Sequence, residues 1–362
     1  MTSLQSSRAI FGPLVVTRSS PQSQSKFRLA LVVLTVALLN VSGWIWALAA
    51  FHGMPVLLGV ALLIYGLGLR HAVDADHIAA IDNVTRKLMQ EDKRPVAVGL
   101  FFAIGHSALV ILVTVAIVRT AARLELFEAY RSVGGTISAA VSAFFLLTVA
   151  IMNGAIFLSV YRVYRRVRAG VPFREGDLDL LSDGGGLLAR FLRPLFRLIS
   201  ASWHMLPLGF LFGLSFDTAT EVALFSLSAA EAARGLPLSS VIVLPILFAA
   251  GMALIDTADG LVMLRAYEWA FLKPMRKLYY NMVITFISVV VALFIGGIQL
   301  LGLIGDRFDL EGSLWSLVRS LGTSFNIIGF AVVAIFILAW IASLAIWRLK
   351  GLDGRIDAAG AS

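Results

Sequence analysis

Within seven residues, His71, Asp74, Asp76 and His77 bring together two imidazoles and two carboxylates, with Arg70 directly before them. Imidazole nitrogens and carboxylate oxygens are donors for borderline divalent metals, and imidazole suits nickel well. The chain has no cysteine, which excludes thiolate sites, disulfides and iron–sulfur clusters and leaves His, Asp, Glu, Asn and backbone groups as donors. Three further sets of polar residues interrupt apolar sequence. His106 stands alone; Asp217 and Glu221 are four apart, and Asp256 and Asp259 are three apart. On a helix each acidic pair shares a face. Carboxylates that close, away from water, repel unless one is protonated or a cation sits between them.

The elements that must position these groups are apolar helices. Of 362 residues, 59% are hydrophobic and 14% charged, against about 25% charged in an ordinary soluble domain. The formal charge of +8 does not indicate nucleic acid, because Lys and Arg fall in the connections between apolar runs. The fold class expected is an all-α integral membrane protein of about eight transmembrane helices. The spans read as 29–50, 55–83, 95–118, one within 132–160, then 203–230, 236–264, 278–304 and 320–347. Around them, 1–28 reads as a disordered cytoplasmic tail, 161–202 as a basic cytoplasmic loop, and 348–362 as a second cytoplasmic tail. Transmembrane helices one to four occupy 29–160 and five to eight occupy 203–347. Lys and Arg number 23 in the segments on one side and 6 on the other, with Arg70 inside a span. That asymmetry predicts both termini in the cytoplasm.

The polar patch of the second span then lies in the bilayer, since only 15 uncharged residues precede Arg70. Three formal charges there would cost roughly 8–10 kcal/mol facing lipid. They must face the bundle, pair with one another or bind something. At 100° per residue, His71, Asp74 and His77 share one broad face and Asp76 points away. Either Asp76 serves another helix, or the helix unwinds so that all four groups converge; Gly66 and Gly68 make a break affordable. The structural alternative is an Arg70–Asp74 pair beside buried, hydrogen-bonded histidines. Asn153, Asn281, Gln299 and Asn326 read as interhelical hydrogen-bond partners.

The run His71-Ala-Val-Asp-Ala-Asp76-His77 resembles the hallmark of the nickel/cobalt transporter family. Gly105-His106-Ser107, Ser215-Phe216-Asp217-Thr218-Ala219-Thr220-Glu221 and Gly251-Met252-Ala253-Leu254-Ile255-Asp256-Thr257-Ala258-Asp259-Gly260 resemble that family's other motifs, in the same order. Ser215 departs from the pattern, which usually has Gly there. The resemblance implies that His71, Asp74, Asp76 and His77 are essential to transport. His71 and His77 are then expected to bind the metal, with Asp74 and Asp76 supplying charge or orienting imidazoles and His106 completing or gating the site. Asp217, Glu221, Asp256, Asp259 and Arg70 are expected in charge compensation or gating. No resident cofactor is implied; Ni2+ or Co2+ is the substrate, and lipid is the surrounding partner. High-affinity uptake across the inner membrane is the reading. Efflux is the alternative, disfavoured because 161–202 lacks histidine. An intramembrane metalloenzyme needs more histidine than the five present, and a structural scaffold leaves the buried charges unexplained.

An internal repeat is also visible. Gly68-Leu followed by six residues and Asp76 matches Gly213-Leu followed by six residues and Glu221. Phe102-Ala-Ile-Gly105 matches Phe248-Ala-Ala-Gly251. Spans two and five run in opposite directions, so helices one to three and four to six form an inverted repeat, a plan that permits alternating access.

Overall fold

The computed structural model describes residues 21–91, 93–119, 124–168, 199–215, 218–270 and 274–349, and these are helical with no strand among them. The helices are α1 (Pro21–Ala50), α2 (Pro55–His71), α3 (Ala75–Gln90), α4 (Val98–Arg119), α5 (Leu124–Arg168), α6 (Met205–Phe212), α7 (Ala219–Ala233), α8 (Leu238–Val241), α9 (Val243–Ala270), α10 (Pro274–Arg307), α11 (Ser313–Gly322) and α12 (Phe325–Leu349). Five stretches are long and apolar enough to cross a membrane unbroken: 25–50, 98–119, 133–155, 238–268 and 282–307. Exposed Leu31, Leu34, Leu38, Val41 and Ile45 on α1, and Phe330 and Leu338 on α12, leave an outer surface suited to lipid.

The remaining spans are interrupted. The second is not the continuous helix of the sequence reading but α2 and α3, bent by 52° at residues 72–74. Where the fifth span is expected lie α6, which ends in a short 3-10 turn at Gly213–Ser215, and α7, with 216–217 outside the described residues. The last is α12, which at 25 residues is about 37 Å long; the short α11 meets it at a bend of 72°. Helix α5 continues through Arg168, eight residues into the stretch read as a basic loop, and α1 begins at Pro21 rather than near Leu29. The tails 1–20 and 350–362 and the segment 169–198 lie outside the described residues.

Both breaks have local causes. After α2, the N–H of Val73 bonds the Arg70 carbonyl and that of Asp74 bonds the His71 carbonyl, tight turns that close the helix. Asp74, at φ −64° and ψ 140°, is the N-cap of α3. Gly329 of α12 lies against the Val73 carbonyl, where any β-carbon would collide. After α6, Ser138 of α5 donates to the Phe212 carbonyl at 2.7 Å. Thr218, at φ −70° and ψ 139°, caps α7 and accepts from the Glu221 N–H. Thr218-Ala-Thr-Glu221 is a capping-box sequence, so the second break is written in four residues.

The repeat is present in the packing, in a register the sequence alignment misses. Gly68 lies against the Phe248 carbonyl, and Gly209 lies against the Phe102 carbonyl. Gly251 faces the Tyr65 carbonyl and the Leu69 N–H; Gly105 faces the Leu206 carbonyl and the Phe210 N–H. Thus α2 crosses α9 as α6 crosses α4, and each helix of the second pair substitutes for one of the first. Tyr65, Gly68 and Leu69 correspond to Leu206, Gly209 and Phe210, one helical turn earlier than the match through Gly213. Beyond the breaks the two N-caps correspond, Asp74 to Thr218, which aligns His77 with Glu221.

Candidate metal centre

The break at 72–74 decides which groups of the polar patch meet. His71 ends α2, His77 opens the first turn of α3, and His106 lies midway along α4. Their ring centroids are 4.9 Å apart in all three pairs. Each offers a ring nitrogen within 4.8 Å of the other two. All three are 1–2% exposed, so the cluster is sealed from both sides.

A buried polar group needs a partner, and the partners here are mostly acidic. His71 Nδ1 lies 3.2 Å from Asp74 Oδ2 and 3.1 Å from Thr220 Oγ1. His77 Nδ1 lies 3.4 Å from Asp256 Oδ1. A carboxylate that accepts the Nδ1 proton fixes the tautomer and leaves Nε2 with its lone pair, the arrangement common behind metal-bound imidazoles. His71 Nε2 and His106 Nε2 are 3.0 Å apart, and Glu221 Oε1 lies 3.1 Å from His106 Nε2. Two nitrogen lone pairs at that separation repel unless a proton or a cation is shared. His106 Nδ1 is buried with no hydrogen-bond partner.

The first turn of α7 completes the centre. Thr218 donates to Glu221 Oε2 at 2.8 Å and holds the carboxylate against His106. The N-termini of α3 and α7 both point into the cluster, and a helix N-terminus carries partial positive charge. Asp74 and Asp76 at one terminus and Glu221 at the other offset it, which keeps the centre attractive to a cation. The walls are aromatic: Phe102 packs edge-on to His77 at 4.8 Å and Phe248 lies 5.4 Å from His71. These two phenylalanines correspond in the repeat.

The predicted residues divide as follows. His71, Asp74, His77, His106, Glu221 and Asp256 come together. Asp76 does not join them; it bonds the His77 N–H and accepts from Gln299 of α10 at 3.3 Å, so the helix both unwinds and sends Asp76 to a neighbour. Arg70 is on the exposed side of α2. Asp259 lies further along α9, with Oδ2 buried and unpartnered. Asp217 lies outside the described residues. Sequence reasoning missed Asp82, Arg86 and Tyr267, whose buried network lies beyond His77 along α3; Asp82 falls at the very end of the expected span and Arg86 in the connection after it. Asn153, which donates to Asn83 at 2.7 Å, and Gln299 are interhelical partners as expected.

The family of high-affinity nickel-transport proteins, NicO, matches residues 57–346, and the chain belongs to it. A high-affinity nickel transport protein of Cupriavidus necator is 51% identical over 345 residues, 95% of this chain and 98% of that one. The nickel transporter NixA of Staphylococcus aureus is 44% identical over 89% of this chain and 94% of its own. The cobalt transport protein NhlF of Rhodococcus rhodochrous is 40% identical over 89% and 93%. No solved structure matches the chain.

Proposed function

We infer that this member of the nickel-transport family carries Ni2+, and Co2+ with it, into the cell, with His71, His77 and His106 as the protein ligands of the ion. The observation that supports this most is the equal spacing of three sealed imidazoles, two of them backed by a carboxylate at Nδ1 and the third facing Glu221. Three imidazoles favour nickel and cobalt over hard ions such as magnesium. Asp74 and Asp256 orient the rings, Thr220 positions His71, and Glu221 balances the charge of the ion.

The ligands come from α2, α3 and α4, and Asp74 lies at the break between two of these helices, while the other supports come from α7 and α9. Relative motion of the two halves of the repeat therefore pulls supports from ligands, and the ion loosens as the site opens. The break at 72–74 and the 3-10 turn at 213–215 allow hinging at the depth of the ion. The described arrangement is the occluded one, closed to both faces. The inner membrane, with both termini in the cytoplasm, is the location that the Lys and Arg distribution supports.

Uptake of radiolabelled nickel by cells expressing the chain, with cobalt as competitor, tests the reading. Saturable uptake that cobalt inhibits, and that His71→Ala abolishes at equal membrane abundance, is expected. Uptake no greater than in cells lacking the protein would refute it.

A further inference from the structure

A second buried polar layer lies one and a half turns along α3 from His77. Asp82 is 0% exposed and accepts from Tyr267 at 2.6 Å and Ser288 at 2.8 Å. Helices α3 and α9 run side by side from the histidines to this layer. His77 faces Asp256, Ile81 lies beside Gly260, and Asp82 meets Tyr267. Asp259 stands between, three residues past Asp256 and directly before Gly260, which faces Ile81. Asp259 lies about 4.5 Å further along α9 than Asp256, and Asp82 continues the line on α3.

Two observations separate this line from a merely acidic stretch. Asp256 is 0% exposed and its Oδ2 has no hydrogen-bond partner, as is true of the buried Oδ2 of Asp259. Arg86, four residues beyond Asp82 and 0% exposed, has Nε and Nη1 without acceptors, while Nη2 donates to Asn83 at 3.1 Å. Buried donors and acceptors left unpaired in one region are costly, and such sites are relieved by a ligand or by a second arrangement. The repeat makes the layer directional. Aligned by their N-caps, α3 carries Asp82 where α7 carries Ser226, which is exposed. Among the described residues, α3 has a buried acid at this distance and α7 does not.

We propose that Asp82, together with Asp259, is a second cation station, which receives the divalent ion with part of its water shell as it leaves the three histidines. The inference rests on the histidines being the site of the transported ion. Oxygen donors hold nickel less firmly than imidazole, so the station lets the ion depart in steps rather than from three imidazoles into water at once. Arg86 is the resident cation of the layer; its charge beside Asp82 keeps the station from becoming a trap.

The test separates binding from release. Full-length Asp82→Asn protein in proteoliposomes is compared with the wild type for nickel affinity at equilibrium, for release of preloaded radiolabelled nickel on dilution, and for uptake rate. Unchanged affinity with release and uptake slowed about tenfold or more is expected, the scale on which supporting groups at metal sites act. Where Asp82→Asn reduces folded yield, Asp259→Asn carries the test, because its Oδ2 gives up no hydrogen bond. Unaltered release and uptake in a folded variant would overturn the proposal, as would a loss of affinity equal to the loss of uptake. Absence of nickel uptake by the wild type is a different failure and would count against the histidine site itself.

Discussion

Asp74 Oδ2 lies 3.2 Å from Nδ1 of His71, although Asp74 is the N-cap of the following helix and makes no capping bond with its side chain. An N-cap carboxylate ordinarily accepts from the backbone N–H groups of the turn it opens. Here Asp76 takes the His77 N–H instead, and Asp74 turns back across the break to hold an imidazole. The bend in the span and the orientation of the ligand are one feature.

Asp74→Asn keeps the size and capping ability of the residue but removes its charge. Nickel affinity of the purified protein is expected to fall roughly 10–100-fold, the usual cost of losing a carboxylate behind a ligating histidine. Asp256→Asn should do the same through His77. Equilibrium binding of radiolabelled nickel checks both, and wild-type affinity in either variant would remove the carboxylates from the account.

Nickel should raise the melting temperature of the protein. A ligand at a hundred times its dissociation constant stabilises by about 2.7 kcal/mol. His71→Ala, His77→Ala and His106→Ala should each abolish most of that shift. A thermal melt in detergent with and without nickel measures it. Stabilisation that survives loss of any one histidine would show that that ring is not a ligand.

Binding should weaken as pH falls. Histidine must be neutral to ligate, so each proton on the triad competes with the metal, and metal binding releases protons. The dissociation constant is expected to rise toward acid pH and level off toward alkaline pH. In His106→Ala the slope should be shallower, because one competing ring is gone. Isothermal titration across pH in buffers of different ionisation enthalpy reads both slope and proton release; a dissociation constant flat with pH would contradict neutral imidazole ligation.

Gly329→Ala places a β-carbon against the Val73 carbonyl at the first break. Overpacking of this kind costs about 1–3 kcal/mol, seen as a lower melting temperature and weaker nickel binding together. Gly66→Ala, where a β-carbon meets nothing within 4 Å, should leave both unchanged or raise the melting temperature slightly. Equal behaviour of the two variants would show that α12 does not hold the break.

Much of this was legible in the sequence, for identifiable reasons. The apolar runs fix the helices, because burying backbone in lipid leaves few other choices. The density of His71, Asp74 and His77 marks the centre because no structural ion pair needs two imidazoles. Position within the break was less legible. Gly66 and Gly68 drew attention upstream, yet the helix ends at His71, where Gly329 from a distant span and the N-cap Asp74 set the turn. Helical geometry alone cannot show that Asp76 reaches Gln299, since that contact spans 223 residues. The repeat was visible through Gly213, but packing sets it one turn away through Gly209, because close approach to the Phe102 carbonyl demands glycine there. Asp82 stayed hidden because a charge near a span end looks the same whether it meets water or Tyr267.

Nickel-edge X-ray absorption of the purified, nickel-loaded protein tests the three-histidine site most directly. The multiple-scattering signature of three imidazoles is expected, reduced to two in His106→Ala. A first shell of oxygen donors without imidazole scattering, or a spectrum unmoved by His106→Ala, would contradict it.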